Sequence, residues 1–468
     1  MKTLIYTSVL GVVCMLAEMA NLRRFIVPLA VVGLLAIFGA NVYSWGTNES
    51  YYHNMLMIDN FSIAFSGLIL LLGALLVVLA GDFYKSEQAK ISDFVAIIVF
   101  TLAGAIALVS YGNLAMFFLG LEILSISLYV LAGSKKKELR SNEAGMKYFL
   151  MGSFASGVLL FGLALIYGDV SSQIPTVDGI IGRSAFDLER IRFFAANQHP
   201  SALFYIGSGM MLIGMLFKVS AAPFHFWAPD VYEGSPTLVT TLMASVAKIA
   251  AFAAFYRLLN VSLVLAMPTY AWVLSSITAL TILVGNLSAL NQDSFKRMLA
   301  FSGVSHAGYL MLGIISAYGN TDGAIFYYSL AYGLSTIAAF AVAIVVSNNL
   351  RSDKFEAFNG LGKRKPMLAA ALTMAMLSMA GIPPFAGFFG KYYIFTEAIK
   401  NGHLWLTVFA VVNSIIGVYY YFKVILAMYT KEGNEPEFSI NPSYAVVIGI
   451  CVVLSLVFGV FPSVANLL

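Results

Sequence analysis

Cysteine is nearly missing from this chain: Cys14 and Cys451 are the only two, far apart and each set in an apolar stretch. They build neither a disulfide framework nor a CxxC pair, and the five histidines show no metal-ligand spacing. A metal or iron–sulfur centre in this chain is thereby excluded. Charge is scarce too. Charged residues make up 11% of the sequence and the net charge is only +4, with basic residues gathered in short loops and not along a stripe. That pattern excludes nucleic acid as a partner. The one glycine-rich basic stretch, Gly360-Leu-Gly-Lys363, lacks the spacing of a phosphate-binding loop.

Apolar residues fill the remaining space. They account for 60% of 468 residues, including 36 Phe and 25 Tyr, and the mean hydropathy is +0.85. A soluble core could not hide so much apolar surface, so the chain reads as an all-α, polytopic protein of the lipid bilayer. A span of some 30 Å of hydrocarbon needs about 20 apolar residues. That length predicts fourteen transmembrane helices near 2–20, 24–43, 58–80, 93–111, 113–131, 144–168, 203–227, 238–260, 270–290, 297–316, 324–347, 368–396, 404–429 and 443–465. The first resembles a signal peptide, but its strongest basic flank, Arg23/Arg24, follows it, which predicts a retained helix.

Lys and Arg accumulate in cytoplasmic loops. Arg23/Arg24, Lys85/Lys90, Lys135 to Lys137 with Arg140, Lys296/Arg297, Arg351/Lys354, Lys363 to Lys365 and Lys431 share one side. Lys2, Arg183, Arg190, Arg192 and Lys400 are all that the other side holds. This bias places both termini on the outer, periplasmic face of the cell's inner (plasma) membrane.

The middle of the chain repeats. Glu143-Ala-Gly-Met-Lys-Tyr-Phe opens the sixth segment and resembles Asp322-Gly-Ala-Ile-Phe-Tyr-Tyr opening the eleventh, and both run on to a serine, Ser156 and Ser335. The seventh and twelfth segments share Pro-Phe pairs, Pro223-Phe224 and Pro384-Phe385. Proline removes a backbone donor and clashes with the preceding turn, so both helices should break. Five-helix repeats face opposite ways, making the symmetry inverted, and paired broken helices point to a transport site at mid-membrane depth.

Within the apolar runs lie Glu122, Lys147, Lys218, Lys248 and Lys391. An ionised group at the bilayer centre costs about 2.5–3.5 kcal/mol, so each marks a functional site unless it serves packing. Glu122 shares a helix face with Ser125 and Tyr129, Lys248 with Thr241 and Ser245, and His306 lies between Ser302 and Tyr309. Lysine suits proton transfer because desolvation lowers its pKa and a nearby carboxylate raises it again. Plainer readings exist: Lys147, Arg257 and Lys423 snorkel to the interface, Glu122 pins helices together, and His225 and His306 are satisfied core histidines.

Four stretches carry a resemblance. Gly120-Leu-Glu-Ile-Leu-Ser-Ile-Ser-Leu-Tyr-Val-Leu, the run from Phe217 through Trp227-Ala-Pro-Asp-Val-Tyr-Glu-Gly-Ser-Pro236, Lys296 through Tyr309, and Gly381-Ile-Pro-Pro-Phe-Ala-Gly-Phe-Phe-Gly-Lys resemble the antiporter-like subunits of respiratory complex I. The resemblance implies three helices over 1–92, inverted five-helix repeats over 93–260 and 270–429, and a last helix over 443–468. It implies that Glu122 and Lys218 form a coupling pair, Lys248 is the central carrier, Lys391 the outlet-side carrier, and Lys147 and His306 members of the buried axis. It also implies a proton-translocating role with no cofactor in this chain, NADH, flavin, iron–sulfur clusters and quinone belonging to partner subunits. The middle relative of the group has glutamate where this chain has Lys391, and the distal one carries a long lateral helix for which there is no room here. The competing family is the related multisubunit sodium/proton antiporter. The wording of the Trp227 to Pro236 stretch favours complex I.

Overall fold

The computed structural model describes residues 1–20, 22–84, 91–173, 184–316, 321–433 and 438–467. Lys85, Lys90 and Arg183, part of the charge asymmetry above, lie outside them. Among the described residues, eleven helices are long and apolar enough to cross a membrane: Arg23–Tyr43, Asn60–Phe83, Ile91–Val109, Leu114–Ala132, Leu139–Gln173, Thr237–Ser262, Met267–Leu290, Phe295–Ile315, Asp322–Leu350, Leu404–Thr430 and Pro442–Val460. Three shorter apolar helices, Lys2–Leu16, Ala202–Lys218 and Pro366–Ala380, fall on the remaining expected segments. Helix is the natural answer for such runs, because every backbone group is bonded within the segment and none faces hydrocarbon unpaired.

Helix starts follow capping chemistry. Asp59 accepts from the backbone of Ser62 at 2.7 Å and Asn113 from that of Met116 at 2.8 Å. The sixth helix, Leu139–Gln173, has 35 residues against the 25 expected, about 52 Å at 1.5 Å per residue, so its ends project beyond the hydrocarbon. Composition gave no warning of two smaller elements, an antiparallel hairpin pairing Glu49–Tyr51 with Leu56–Ile58 and an amphipathic helix, Leu188–Asn197.

Both proline-bearing segments break. The seventh is helical over Ala202–Lys218, loses its helix through Pro223, and resumes over Trp227–Gly234. The twelfth is helical over Pro366–Ala380 and again over Ala386–Lys400. Gly381 makes the second break at φ +82°, and a Cβ there would lie 2.8 Å from the Lys391 side chain, so glycine is required by backbone and neighbour alike. The eighth segment is continuous but carries a π-helical turn at Met243–Ala247, directly before Lys248. A π turn inserts one extra residue and commonly marks a functional position.

The core sits on the tenth and eleventh helices. The apolar window of Asp322–Leu350 is wholly buried, whereas that of Arg23–Tyr43 is 28% buried and faces outward. Glycines bring equivalent pairs together: a Cβ on Gly120 would stand 2.7 Å from the Leu108 backbone, and one on Gly308 2.9 Å from that of Ile282. The fourth and fifth helices thus meet as closely as the ninth and tenth, the small-residue contact favoured in bilayers.

Candidate functional site

The fifth helix carries its polar stripe inward. Lys218, at the end of the first half of the seventh segment, donates to the Ser125 hydroxyl at 2.7 Å and to Tyr129 at 3.3 Å. Glu122, one turn from Ser125, accepts from Ser156 of the sixth helix at 2.5 Å. Gly152 leaves room for the Tyr129 ring, whose Cζ would stand 2.7 Å from a Cβ there. Among the described residues no ion pair joins Glu122 to Lys218. The two share one hydroxyl-lined stripe without touching.

A cavity of about 20 Å³, lined by Ser125, Tyr148, Lys218, Tyr232 and Lys248, joins the first lysine to the second. Most of its wall is apolar, and it has room for about one water. Lys248 is 4% exposed and donates to the Gly303 carbonyl of the tenth helix at 2.5 Å. Thr241 and Ser245 donate to carbonyls of their own helix at 2.8 and 2.6 Å, and the π turn, which contains Ser245, alters the α-helical spacing between them and Lys248.

His306 stands three residues after Gly303. Its Nδ1 is 2.6 Å from the Tyr328 hydroxyl and its Nε2 3.0 Å from that of Tyr421, which also bonds Ser302. Both ring nitrogens are engaged, so the histidine is bridged between two phenols. Lys391 follows, 8% exposed, donating to the Ala380 carbonyl at 2.8 Å with its ammonium 5.1 Å from the Tyr309 ring centre. Tyr309 accepts from Asn286 at 3.2 Å, and Asn286 accepts from Tyr420 at 3.1 Å. The two repeat serines have matching places: Ser156 reaches the fifth helix, and the Ser335 hydroxyl lies within hydrogen-bonding distance of that of Ser378 of the twelfth, at 2.8 Å.

Glu122, Lys218, Lys248, His306 and Lys391 therefore make a polar series across packed helices, in which Lys218 and Lys248 share a cavity and His306 stands one turn from the carbonyl that Lys248 bonds. Lys147 does not join it. Lys147 is ion-paired with Glu143 at 2.7 Å and Asp230 at 2.9 Å, and Asp230 in turn with Arg297, beside Glu233, around an open hollow of about 210 Å³. His225 lies half-buried in the break of the seventh segment, near Phe301.

Two basic residues were misread from sequence. Arg257 does not snorkel: it is 4% exposed and bonds both carboxylate oxygens of Asp59, at 2.7 and 2.8 Å. Lys296 is not a loop residue but a buried one, donating to the Ser235 carbonyl at 2.9 Å. Tyr328, Tyr332, Tyr421 and Asn286 also escaped notice. The Tyr-Tyr of the eleventh helix and its i+4 partner Tyr332 were the signal available for them.

Residues 112–417 match the family model described as NADH:quinone oxidoreductase/Mrp antiporter, TM. A NADH-quinone oxidoreductase subunit N of Flavobacterium psychrophilum is 47% identical over 464 residues, 99% of this chain and 99% of the relative. A chain of respiratory complex I from Thermus thermophilus, solved with bound aureothin, is 32% identical with a TM-score of 0.83, over 98% of this chain and 97% of that one. A chain of the Mrp complex from Dietzia sp. has a TM-score of 0.85 at 20% identity over 99% and 96%, a likeness of fold alone. The chain thus belongs to the transmembrane family of NADH:quinone oxidoreductases and Mrp antiporters, and within it to the antiporter-like subunits named NADH-quinone oxidoreductase subunit N.

Proposed function

We propose that this chain translocates protons as the N-type membrane subunit of a NADH:quinone oxidoreductase, without a redox centre of its own. NADH, flavin, iron–sulfur clusters and quinone belong to its partner subunits, and quinone reduction there shifts charge along the membrane axis. The observation that carries the reading is the cavity lined by both Lys218 and Lys248, within the polar series from Glu122 to Lys391. A structural scaffold would have no use for three buried lysines whose amines bond mostly to neutral oxygens. Identity of 32% to a complex I chain against 20% to an Mrp chain favours complex I over the sodium/proton antiporter.

The proposed units are the inverted repeats 93–260 and 270–429, with both termini on the outer face. Glu122 holds Lys218 protonated when the two approach. When they part, the proton passes over water to Lys248, is relayed by His306 between its tyrosines, and leaves through Lys391. Moving one charge against 100 mV costs about 2.3 kcal/mol, and a pKa change of about two units supplies that much. The hollow ringed by Lys147, Glu143, Asp230 and Glu233 is the water-facing mouth. The test is Lys218→Ala in the assembled complex, which should depress pumping and coupled NADH:quinone turnover; normal pumping would reject the role.

A further inference from the structure

A second group of ionisable residues lies apart from the lysine line, where the third and eleventh helices begin and the eighth ends. Arg257 pairs with Asp59, the Tyr256 hydroxyl donates to Asp322, and Thr321 donates to Tyr256 at 3.2 Å. Asp322 itself has no ion-pair partner among the described residues. It accepts from a phenol, an arrangement that leaves a carboxylate free to take up a proton.

Between this group and the axis the eleventh helix carries a buried hydroxyl. Ser329 follows Asp322 by seven residues, two helical turns on the same face. It is 0% exposed, and its hydroxyl has no hydrogen-bond partner among the described residues. A serine inside a helix normally bonds back to the carbonyl four residues earlier, as Ser335 does at 2.8 Å, so an unpaired one is turned elsewhere. Three residues beyond Ser329 is Tyr332, its ring centre 4.8 Å from that of His306. A Cβ on Gly303 would lie 3.1 Å from the Lys248 amine and 3.2 Å from the Tyr332 hydroxyl, so both groups approach the same glycine.

The register of the helices closes the argument. Ile249 packs where a Cβ on Gly333 would stand, while Tyr256 reaches Asp322, so the eighth and eleventh helices run antiparallel with Ser329 between those contacts. Lys248 and Tyr256 are eight residues apart on one helix, about 12 Å along its axis. Ser329 falls within that gap.

We propose that Asp322 is a proton-release group on the face opposite the Lys147 hollow, fed from Lys248 past Tyr332 and Ser329. The step moves one proton: the Lys248 ammonium gives it up and becomes a neutral amine, a water file ordered by the two hydroxyls passes it on, and the Asp322 carboxylate takes it before releasing it to bulk water. Arg257, held by Asp59, keeps the vacated carboxylate electrostatically favourable. This outlet rests on the proton-carrying reading above and adds to it a second exit beside Lys391.

The experiment measures protons pumped per NADH oxidised, in vesicles bearing the assembled complex, for Ser329→Ala, Asp322→Asn and Lys218→Ala beside the parent. Removing an unpaired buried hydroxyl should leave folding unharmed or improved, and asparagine keeps an acceptor for Tyr256, so a structural role predicts no loss in either. The inference expects a several-fold fall in the ratio for both, with Asp322→Glu restoring it. Parent-like pumping by Ser329→Ala and Asp322→Asn, with Lys218→Ala impaired, overturns the outlet and leaves the lysine line standing. Parent-like pumping by Lys218→Ala overturns both. If Asp322→Asn does not assemble, Ser329→Ala decides alone.

Discussion

Lys218 turns its ammonium to Ser125, 2.7 Å away, while Glu122 one turn earlier takes the Ser156 hydroxyl at 2.5 Å. The opposite charges share a stripe and are held apart by two serines. In the proposed coupling, Lys218 turns from the hydroxyl toward the carboxylate.

Ser125→Ala should therefore bias Lys218 toward Glu122 and lock its proton. Assembly should be unaffected, since alanine fits a serine's space, while pumping per NADH oxidised falls several-fold. Glu122→Gln should depress pumping for the opposite reason, by making protonated Lys218 less favourable. Parent-like pumping in Ser125→Ala would mean that the hydroxyl holds nothing in place.

The Arg257–Asp59 pair should matter for stability. Arg257→Ala leaves a partly buried carboxylate alone, and losing one partner of a buried pair costs about 3–5 kcal/mol. Asp59→Ala adds the loss of a helix cap, about 1 kcal/mol. Thermal unfolding of the purified complex, followed by release of this chain, should show both, and Arg257→Met with Asp59→Asn together should be less harmful than either partner removed alone. An Arg257→Ala complex as stable as the parent would refute the pairing.

Much of this was legible in the sequence because the bilayer imposes a length. Each of the fourteen expected segments met an apolar helix, and Pro223 and Pro384 announced their breaks, since a missing amide and a ring clash act locally. The Ser125–Tyr129 stripe was legible for the same reason. What escaped depended on distance or on irregular backbone. Asp59 lies 198 residues from Arg257, so nothing local distinguished a buried arginine from a snorkelling one. The π turn before Lys248 has no apolar period to reveal it, and the face shared with Thr241 and Ser245 was lost there. Lys296 stood beside Arg297 in a basic pair, and only folding sends one inward to Ser235 and the other to Asp230.

Packing of the fourth and fifth helices should tolerate no bulk. Gly120→Val would drive its side chain into the Leu108 backbone, which cannot yield as a side chain can. Overpacking of this kind costs about 1–3 kcal/mol or more, so the level of assembled complex in membranes should fall sharply. Parent-like levels would show that the helices can separate.

Topology can be checked without assaying activity. Lys136 and Asn48 are both exposed, and the charge bias assigns them to opposite faces. Lys136→Cys should resist an impermeant thiol reagent in intact cells, while Asn48→Cys should react; Cys14 and Cys451 are buried and should give little background. Reaction of Lys136→Cys alone would invert the orientation.

The claim that the buried lysines carry protons, and do not merely brace helices with fixed charge, is tested most directly at Lys391. Arginine keeps the positive charge but, with a pKa above about 12, does not release its proton. The measurement is protons pumped per NADH oxidised in vesicles, normalised to assembled complex, for Lys391→Arg and Lys391→Met beside the parent. Pumping should be impaired in both variants while the arginine one assembles. Full pumping by Lys391→Arg, with Lys391→Met failing to assemble, would contradict a carrier role and leave only an electrostatic one.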